Sequence, residues 1–155
     1  MAYNREAARS YAEKWANARN PRYYDFEEVG GDCTNFISQC LLAGGAQMNF
    51  TPTFGWYYRS ANDRAPAWSG VEFLYNFLTT NKGVGPKAVE CALSECEIGD
   101  VVQINADGPR FSHTMLVTAI PAPGKLLLTT HSYDYYNRPL DSWTYKGVRF
   151  LKISV

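Results

Sequence analysis

At 155 residues the chain is the size of one ordinary domain, long enough to bury a proper core without disulfide staples or a structural metal. Fifteen basic side chains balance fifteen acidic ones, so no net basic field exists to draw nucleic acid or an anionic membrane as the main partner. No run approaches the ~18–20 continuous apolar residues of a membrane span, and the N-terminus reads as a polar helix instead of a signal peptide; the chain either stays inside the cell or is a domain cut from a longer secreted protein.

Asn4 is placed to cap a first helix running to about Arg19, with Ala8, Tyr11, Trp15 and Ala18 on its inner face and Pro21 past its end. A second helix follows Gly30-Gly31. Asp32 is a preferred N-cap residue, and Cys33, Phe36, Ile37, Cys40 and Leu41 recur at the spacing of one helical face before Gly44-Gly45 closes it. Residues 46–68 read as an irregular aromatic stretch containing Trp56-Tyr57-Tyr58 and Trp68. Ser69-Gly70-Val71-Glu72 then predicts a capping box for a third helix from Gly70 to about Thr80. Beyond Asn81-Lys82-Gly83 the signals alternate with period two. They predict strands at 101–104, 114–120, 125–131 and 147–153, a polar turn at 105–109 and a Pro121-Ala122-Pro123-Gly124 turn. Helices first and antiparallel strands after predict one α+β domain over 1–155, the N-terminal helices packed on one side of a C-terminal sheet.

Cys33 falls at the first position of the second helix. Unpaired backbone N–H groups and the positive end of the helix dipole there favour a thiolate, lower its pKa, and offer donors for an oxyanion. The competing reading is a core helix whose cysteines are small hydrophobes, which accounts well for Cys40 and less well for Cys33. The four cysteines, at 33, 40, 91 and 96, fit no common zinc spacing, and only two histidines exist to complete a site, so neither metal nor cofactor is expected. Cys33 and Cys40 stand ~10 Å apart on one helix, too far for a disulfide. Cys91 and Cys96 are open to pairing with each other or with Cys40, free thiols being the simpler reading.

Both histidines fall among the strands. With the intervening turn centred at 122 or 123, His113 faces residues 131–133, so His113 and His131 are expected side by side on one face; a slip of one residue turns one of them away. A cysteine at a helix start, a histidine on a strand and a polar group on the neighbouring strand form the layout of a papain-type thiol site.

Asp32-Cys33-Thr34-Asn35-Phe36 resembles the Asp-Cys-Ser-Gly-Leu type motif of NlpC-like and CHAP-like cysteine peptidases and amidases. Glu97-Ile98-Gly99-Asp100-Val101-Val102 resembles their Gly-Asp-Leu-Val strand entry, and Phe111-Ser112-His113-Thr114-Met115-Leu116-Val117 their His-Val-Gly-Ile strand. Over nearly the whole chain the resemblance is to the bacterial putative amidase domain family. It rests on the Tyr-Ala-Glu-Lys-Trp helix at 11–15, the Asp32–Gln39 core, Gly55-Trp56-Tyr57, Trp68 and His131-Ser132-Tyr133-Asp134. The resemblance implies a papain-like (NlpC-like) fold and cysteine-dependent hydrolysis of an amide through a thioester, with cell-wall peptide such as that of peptidoglycan as the substrate class. It puts Cys33 in the nucleophile's place, His113 in the base's and His131 in the third position, for which Asp134 competes. No glutamine precedes the cysteine to complete the oxyanion hole; Tyr23 or Tyr24 resembles instead the tyrosine that NlpC-like enzymes place there.

Two other uses of the same residues stand beside this one. An acyltransferase would hand the thioester to an amine. A non-catalytic binding module would use Trp56, Tyr57, Tyr58 and Trp68 to grip glycan or a partner protein. If the aromatic stretch wraps beside the helix start at Asp32, then Trp56, Tyr57 or Trp68 is expected to line a groove leading to the sulfur.

Overall fold

The computed structural model describes residues 2–106 and 108–155. Helix α1 (Arg5–Trp15) begins as expected, the Asn4 side chain accepting from the Ala7 amide at 3.0 Å. It stops earlier than its periodicity suggests, and Ala18 is exposed instead of inward-facing. Its last carbonyl, that of Trp15, lies 2.8 Å from Nε2 of the distant His131 side chain. Helix α2 (Cys33–Ala43) matches its predicted span and is closed at Gly44, but Asp32 makes no capping bond to it. That carboxylate is drawn elsewhere, as described below.

The aromatic stretch is less irregular than it reads. It holds a small hairpin of β1 (Tyr58–Ser60) and β2 (Asp63–Arg64) and a single turn of helix, α3 (Pro66–Ser69). Helix α4 (Val71–Thr80) follows without the expected capping box; the Ser69 hydroxyl accepts from Arg64 Nε, and Gly70 is the N-cap.

Among the described residues six strands follow: β3 (Lys87–Cys91), β4 (Val101–Asn105), β5 (His113–Ala122), β6 (Lys125–Thr130), β7 (Tyr135–Pro139) and β8 (Gly147–Ser154). They form one antiparallel sheet in the order β3-β8-β4-β5-β6-β7. The predicted strands are its four central members. The two that prediction omits, β3 and β7, are its edges, where half-exposed charged and aromatic side chains blur the period-two signal. The expected turn at 105–109 includes Asp107, which lies outside the described residues. The molecule is thus α+β, with a large antiparallel sheet and a few helices.

Period two assigns each side chain to a face. Val101, Leu116, Leu151 and Ile153 point to the helices, where Phe36, Ile37, Leu41, Trp56, Trp68 and Leu74 complete the main core. Val102, Ile104, Met115, Val117 and Leu128 point the other way, into a second cluster closed by Leu140 and Trp143. The N-terminus is clamped to the sheet by Arg5, which bonds the buried Asp100 carboxylate at 2.7 Å and the Ile153 carbonyl at 2.9 Å. Among the described residues no helix is long and apolar enough to cross a membrane.

Candidate thiol site at the start of the second helix

Cys33 is the first residue of α2 and lies against the sheet, only 7 % exposed. Burial pushes its thiol pKa up, while contacts from the Thr114 backbone and from Thr34 pull the other way. The lowering expected from the helix end alone is therefore not found, because loss of water outweighs it. The sulfur lies 3.7 Å from Thr34 Oγ1, which in turn lies 2.9 Å from Thr114 Oγ1 on β5. No side chain caps the first turn of α2, which leaves its amides without a side-chain acceptor.

Beside the thiol sits a buried imidazole–carboxylate pair. His131, just past β6, donates from Nδ1 to Asp32 Oδ2 at 2.6 Å, and its ring stacks on Phe36 with centroids 3.8 Å apart. Its Nε2 lies 2.8 Å from the Trp15 carbonyl. Both nitrogens are engaged, and neither is hydrogen-bonded to the Cys33 sulfur. The other Asp32 oxygen accepts from the Phe26 amide and Asn35 Nδ2, so the residue expected to cap α2 instead ties the Gly30-Gly31 turn to the strand end. Arg19 borders this pair, bonding Asp134 through two nitrogens at 2.9 and 3.0 Å and Glu27 at 3.0 Å. Asp134 therefore pairs with Arg19 and not with an imidazole.

His113 does not share this site, and the side-by-side placement of the two histidines is corrected by the register. Leu116 pairs with Thr129 and Val117 with Leu128, which sets His113 opposite Ser132 and Thr114 opposite His131. Thr114 faces α2; its neighbour His113 faces the second cluster, with its ring 5.3 Å from that of Trp143. Burial there, with Arg138 nearby, lowers the His113 pKa to about 4, and its Nε2 has no hydrogen-bond partner among the described residues.

The other expected site residues are placed differently too. Tyr23 packs on Tyr58 and Trp68 with ring centroids 5.1 and 6.0 Å away, and Tyr24 is exposed with its ring edge on Phe26; neither hydroxyl bonds to Cys33. Trp56 and Trp68 are fully buried and bond Ser38 and Asn35 of α2, so they are core, not the wall of a groove. Tyr57 is buried under Phe50 and Arg59. Two surface grooves open elsewhere, one between Phe54, Phe73 and Phe77, another beside Leu93, Leu126 and Leu140. Cys40 lies in the main core, and the free thiols of Cys91 and Cys96 stand 4.0 Å apart on the far side of the sheet. Among the described residues no group of three or more His, Cys, Asp and Glu is arranged to hold a metal ion.

The sequence profile of the putative amidase domain matches residues 2–153. The chain belongs to the putative amidase domain family. Within the curated relatives it is similar to the uncharacterized protein YhbB of Bacillus subtilis (strain 168), 36 % identical over 148 residues that cover 93 % of this chain and 45 % of YhbB. It is also similar to the uncharacterized protein YjcM of the same strain, 30 % identical over 159 residues that cover 96 % of this chain and 36 % of YjcM. The chain thus spans less than half the length of either relative. No solved structure gives a significant match. The hydrogen bonds around the site bring in side chains that sequence reasoning passed over: Arg19, Gln103, Thr114 and Arg149. The available signal was a polar residue on the helix-facing phase of two otherwise apolar strands, Val101-Val102-Gln103-Ile104 and Thr114-Met115-Leu116-Val117.

Proposed function

We propose that this member of the family is a cysteine-dependent amide hydrolase with Cys33 as nucleophile and the Asp32-supported His131 as its proton acceptor. The observation that carries the reading is the thiol at the uncapped first turn of α2, one residue from a buried imidazole–carboxylate pair. Cys40 sits mid-helix among apolar side chains, and Cys91 and Cys96 meet each other and the Ala92 carbonyl, so among the described residues none of them lies beside an imidazole–carboxylate pair.

In this reading His131 takes the Cys33 proton and the thiolate attacks the carbonyl carbon of an amide. The first-turn amides of α2 hold the oxyanion, a donor position worth about 2.7–4 kcal/mol in other enzymes. The C–N bond breaks as His131 returns the proton to the leaving amine, leaving a thioester on Cys33. Water then attacks the thioester, gives its proton to His131, and releases the acid and the thiol. Because Nε2 rests on the Trp15 carbonyl, the turn at 131–134 has to shift for the imidazole to reach the sulfur. A helix-start cysteine laid on an antiparallel sheet supports kinship with papain-like, NlpC-like enzymes, and cell-wall peptide is the substrate class that kinship suggests.

Single-turnover incubation with muropeptides and simple amides, followed by mass spectrometry, tests the reading. An acyl adduct on Cys33 that decays in water is the expected result. Decay only on addition of an amine would make the protein a transferase, and the absence of any adduct across the panel would count against both.

A further inference from the structure

Four polar side chains cross the helix-facing side of the sheet in one row that ends at the Cys33 sulfur. Arg149 on β8 pairs in register with Gln103 on β4, and Gln103 with Thr114 on β5. The row then steps to Thr34 on α2. Gln103, Thr114 and Thr34 are all buried, each at 1 % exposure or less. Their links are short: Arg149 Nη2 to Gln103 Oε1 at 2.7 Å, Gln103 Nε2 to Thr114 Oγ1 at 3.2 Å, Thr114 Oγ1 to Thr34 Oγ1 at 2.9 Å, and Thr34 Oγ1 to Cys33 Sγ at 3.7 Å.

We propose that this row is a one-way hydrogen-bond relay in which Arg149, Gln103, Thr114 and Thr34 act as positioning residues, holding an O–H donor on the Cys33 sulfur and so favouring its thiolate. The direction follows from the donors available. Arginine only donates, so Gln103 meets it with the carbonyl oxygen. The Gln103 amide nitrogen also donates to the Val71 carbonyl at 3.1 Å, which fixes the same orientation independently. Thr114 Oγ1 accepts from Gln103 and has its own proton left for Thr34. Thr34 Oγ1, accepting from Thr114, has its proton left for the sulfur. Every link points the same way, and hydrogen bonds in a dry interior polarise one another along such a chain.

The start of the relay is firmly held. The Arg149 guanidinium lies between the rings of Tyr75 and Phe111, 3.6 and 3.9 Å from their centroids, and pairs with Glu72. It stays charged across the pH range in which a thiol titrates, so the orientation of Gln103 does not change with pH. The other charged groups near Cys33 lie on its opposite flank: Asp32 on the residue before it, with His131 from the end of β6 and Arg19 from beyond α1 gathered around that carboxylate. Asp32 opposes the thiolate, and burial opposes it more strongly; the relay offsets them.

The relay rests on Cys33 being the reactive thiol of the proposed hydrolase, yet it is testable without any substrate. In protein carrying 13C-labelled cysteine, the pH titration of the Cys33 Cβ signal reads the thiol directly, the signal being assigned by its loss in Cys33→Ser. Thr114→Val removes the central hydroxyl and keeps the backbone that touches the sulfur. Its titration midpoint is expected to rise by about one pH unit, a tenfold loss of thiolate at any pH below the midpoint. Thr114→Ser, which restores a hydroxyl, should return the midpoint toward that of the wild type. Ser38→Ala breaks a buried hydroxyl contact on the same helix outside the relay and should leave the midpoint in place. If Thr114→Val does not fold, Thr34→Val reads the last link instead. A midpoint unmoved in the folded variant, or moved equally by Ser38→Ala, overturns the relay. Loss of hydrolysis in Cys33→Ser alongside an unmoved midpoint would sink the relay alone; a shifted midpoint with hydrolysis intact in Cys33→Ser would sink the hydrolase reading alone.

Discussion

The two faces of the sheet each carry a histidine and cysteine thiols, yet they differ in what surrounds them. On the helix-covered face, Cys33 meets a threonine hydroxyl and His131 meets a carboxylate and a carbonyl. On the other, Cys91 and Cys96 meet chiefly each other, and the His113 Nε2 has no hydrogen-bond partner among the described residues. Residue type alone therefore does not make a reactive site. A buried polar group becomes useful where its partners orient it, and where they are missing it is merely costly.

The largest expected effect is on turnover. Cys33→Ser should lose all hydrolysis while retaining the fold, measured as product release together with circular dichroism; activity in this variant would erase the functional distinction between the faces. The next contrast lies between the histidines. His131→Ala leaves Asp32 buried without its imidazole partner, and breaking a buried pair costs about 3–5 kcal/mol. Urea unfolding should show a loss of that order, together with lost turnover. His113→Phe should instead keep turnover, and a large loss of activity in it would return the base's role to the far face.

A third test uses acid. The His113 pKa is lowered to about 4 by burial, whereas an unfolded histidine titrates near 6.5. Between those values the unfolded chain binds the proton and the folded one does not, so this residue's contribution is intact above about pH 6.5 and is lost as pH falls toward 4. The loss is on the order of 3 kcal/mol. His113→Phe should flatten the stability profile in that window relative to wild type; parallel profiles would mean that the ring is solvated. The smallest effect belongs to Cys91→Ser. Its sulfur is half-buried at a sheet edge, and substitution there should change stability by less than about 1 kcal/mol and leave the Cys33 adduct untouched, as urea unfolding and mass spectrometry would show.

Much of this contrast was legible locally, because period and punctuation are local properties. Asn4 and the Cys33-Phe36-Ile37-Cys40-Leu41 stripe announce α1 and α2, and alternation announces the four central strands. The Asp-Cys-Thr-Asn-Phe run pointed to the family. Asp32 shows where such reading stops. Its residue type predicts a cap, but a histidine ninety-nine positions away offers its carboxylate a better partner than the backbone amides three positions on. Trp56 and Trp68 show the same limit, since an aromatic run reads alike as groove or core until Ser38 and Asn35 are seen to satisfy both indole N–H groups.

The sequence by itself determined the α+β order of elements, the placement of a cysteine at a helix start, and the pairing of the strand with His113 against the strand that leads to His131. Only the tertiary structure decided which histidine shares the face of that cysteine. The hairpin between β5 and β6 changes register twice, between Ala122 and Ala119 and again between Ala119 and Val117. The two one-residue steps offset each other in facing and together move the register by two, from Ala122 opposite Lys125 to Leu116 opposite Thr129, so His113 and His131 keep opposite faces. Which face carries partners for an imidazole is set by α1 and α2, where His131 meets Asp32, Phe36 and the Trp15 carbonyl. No residue within the hairpin encodes those contacts, because their partners lie about a hundred positions earlier in the chain.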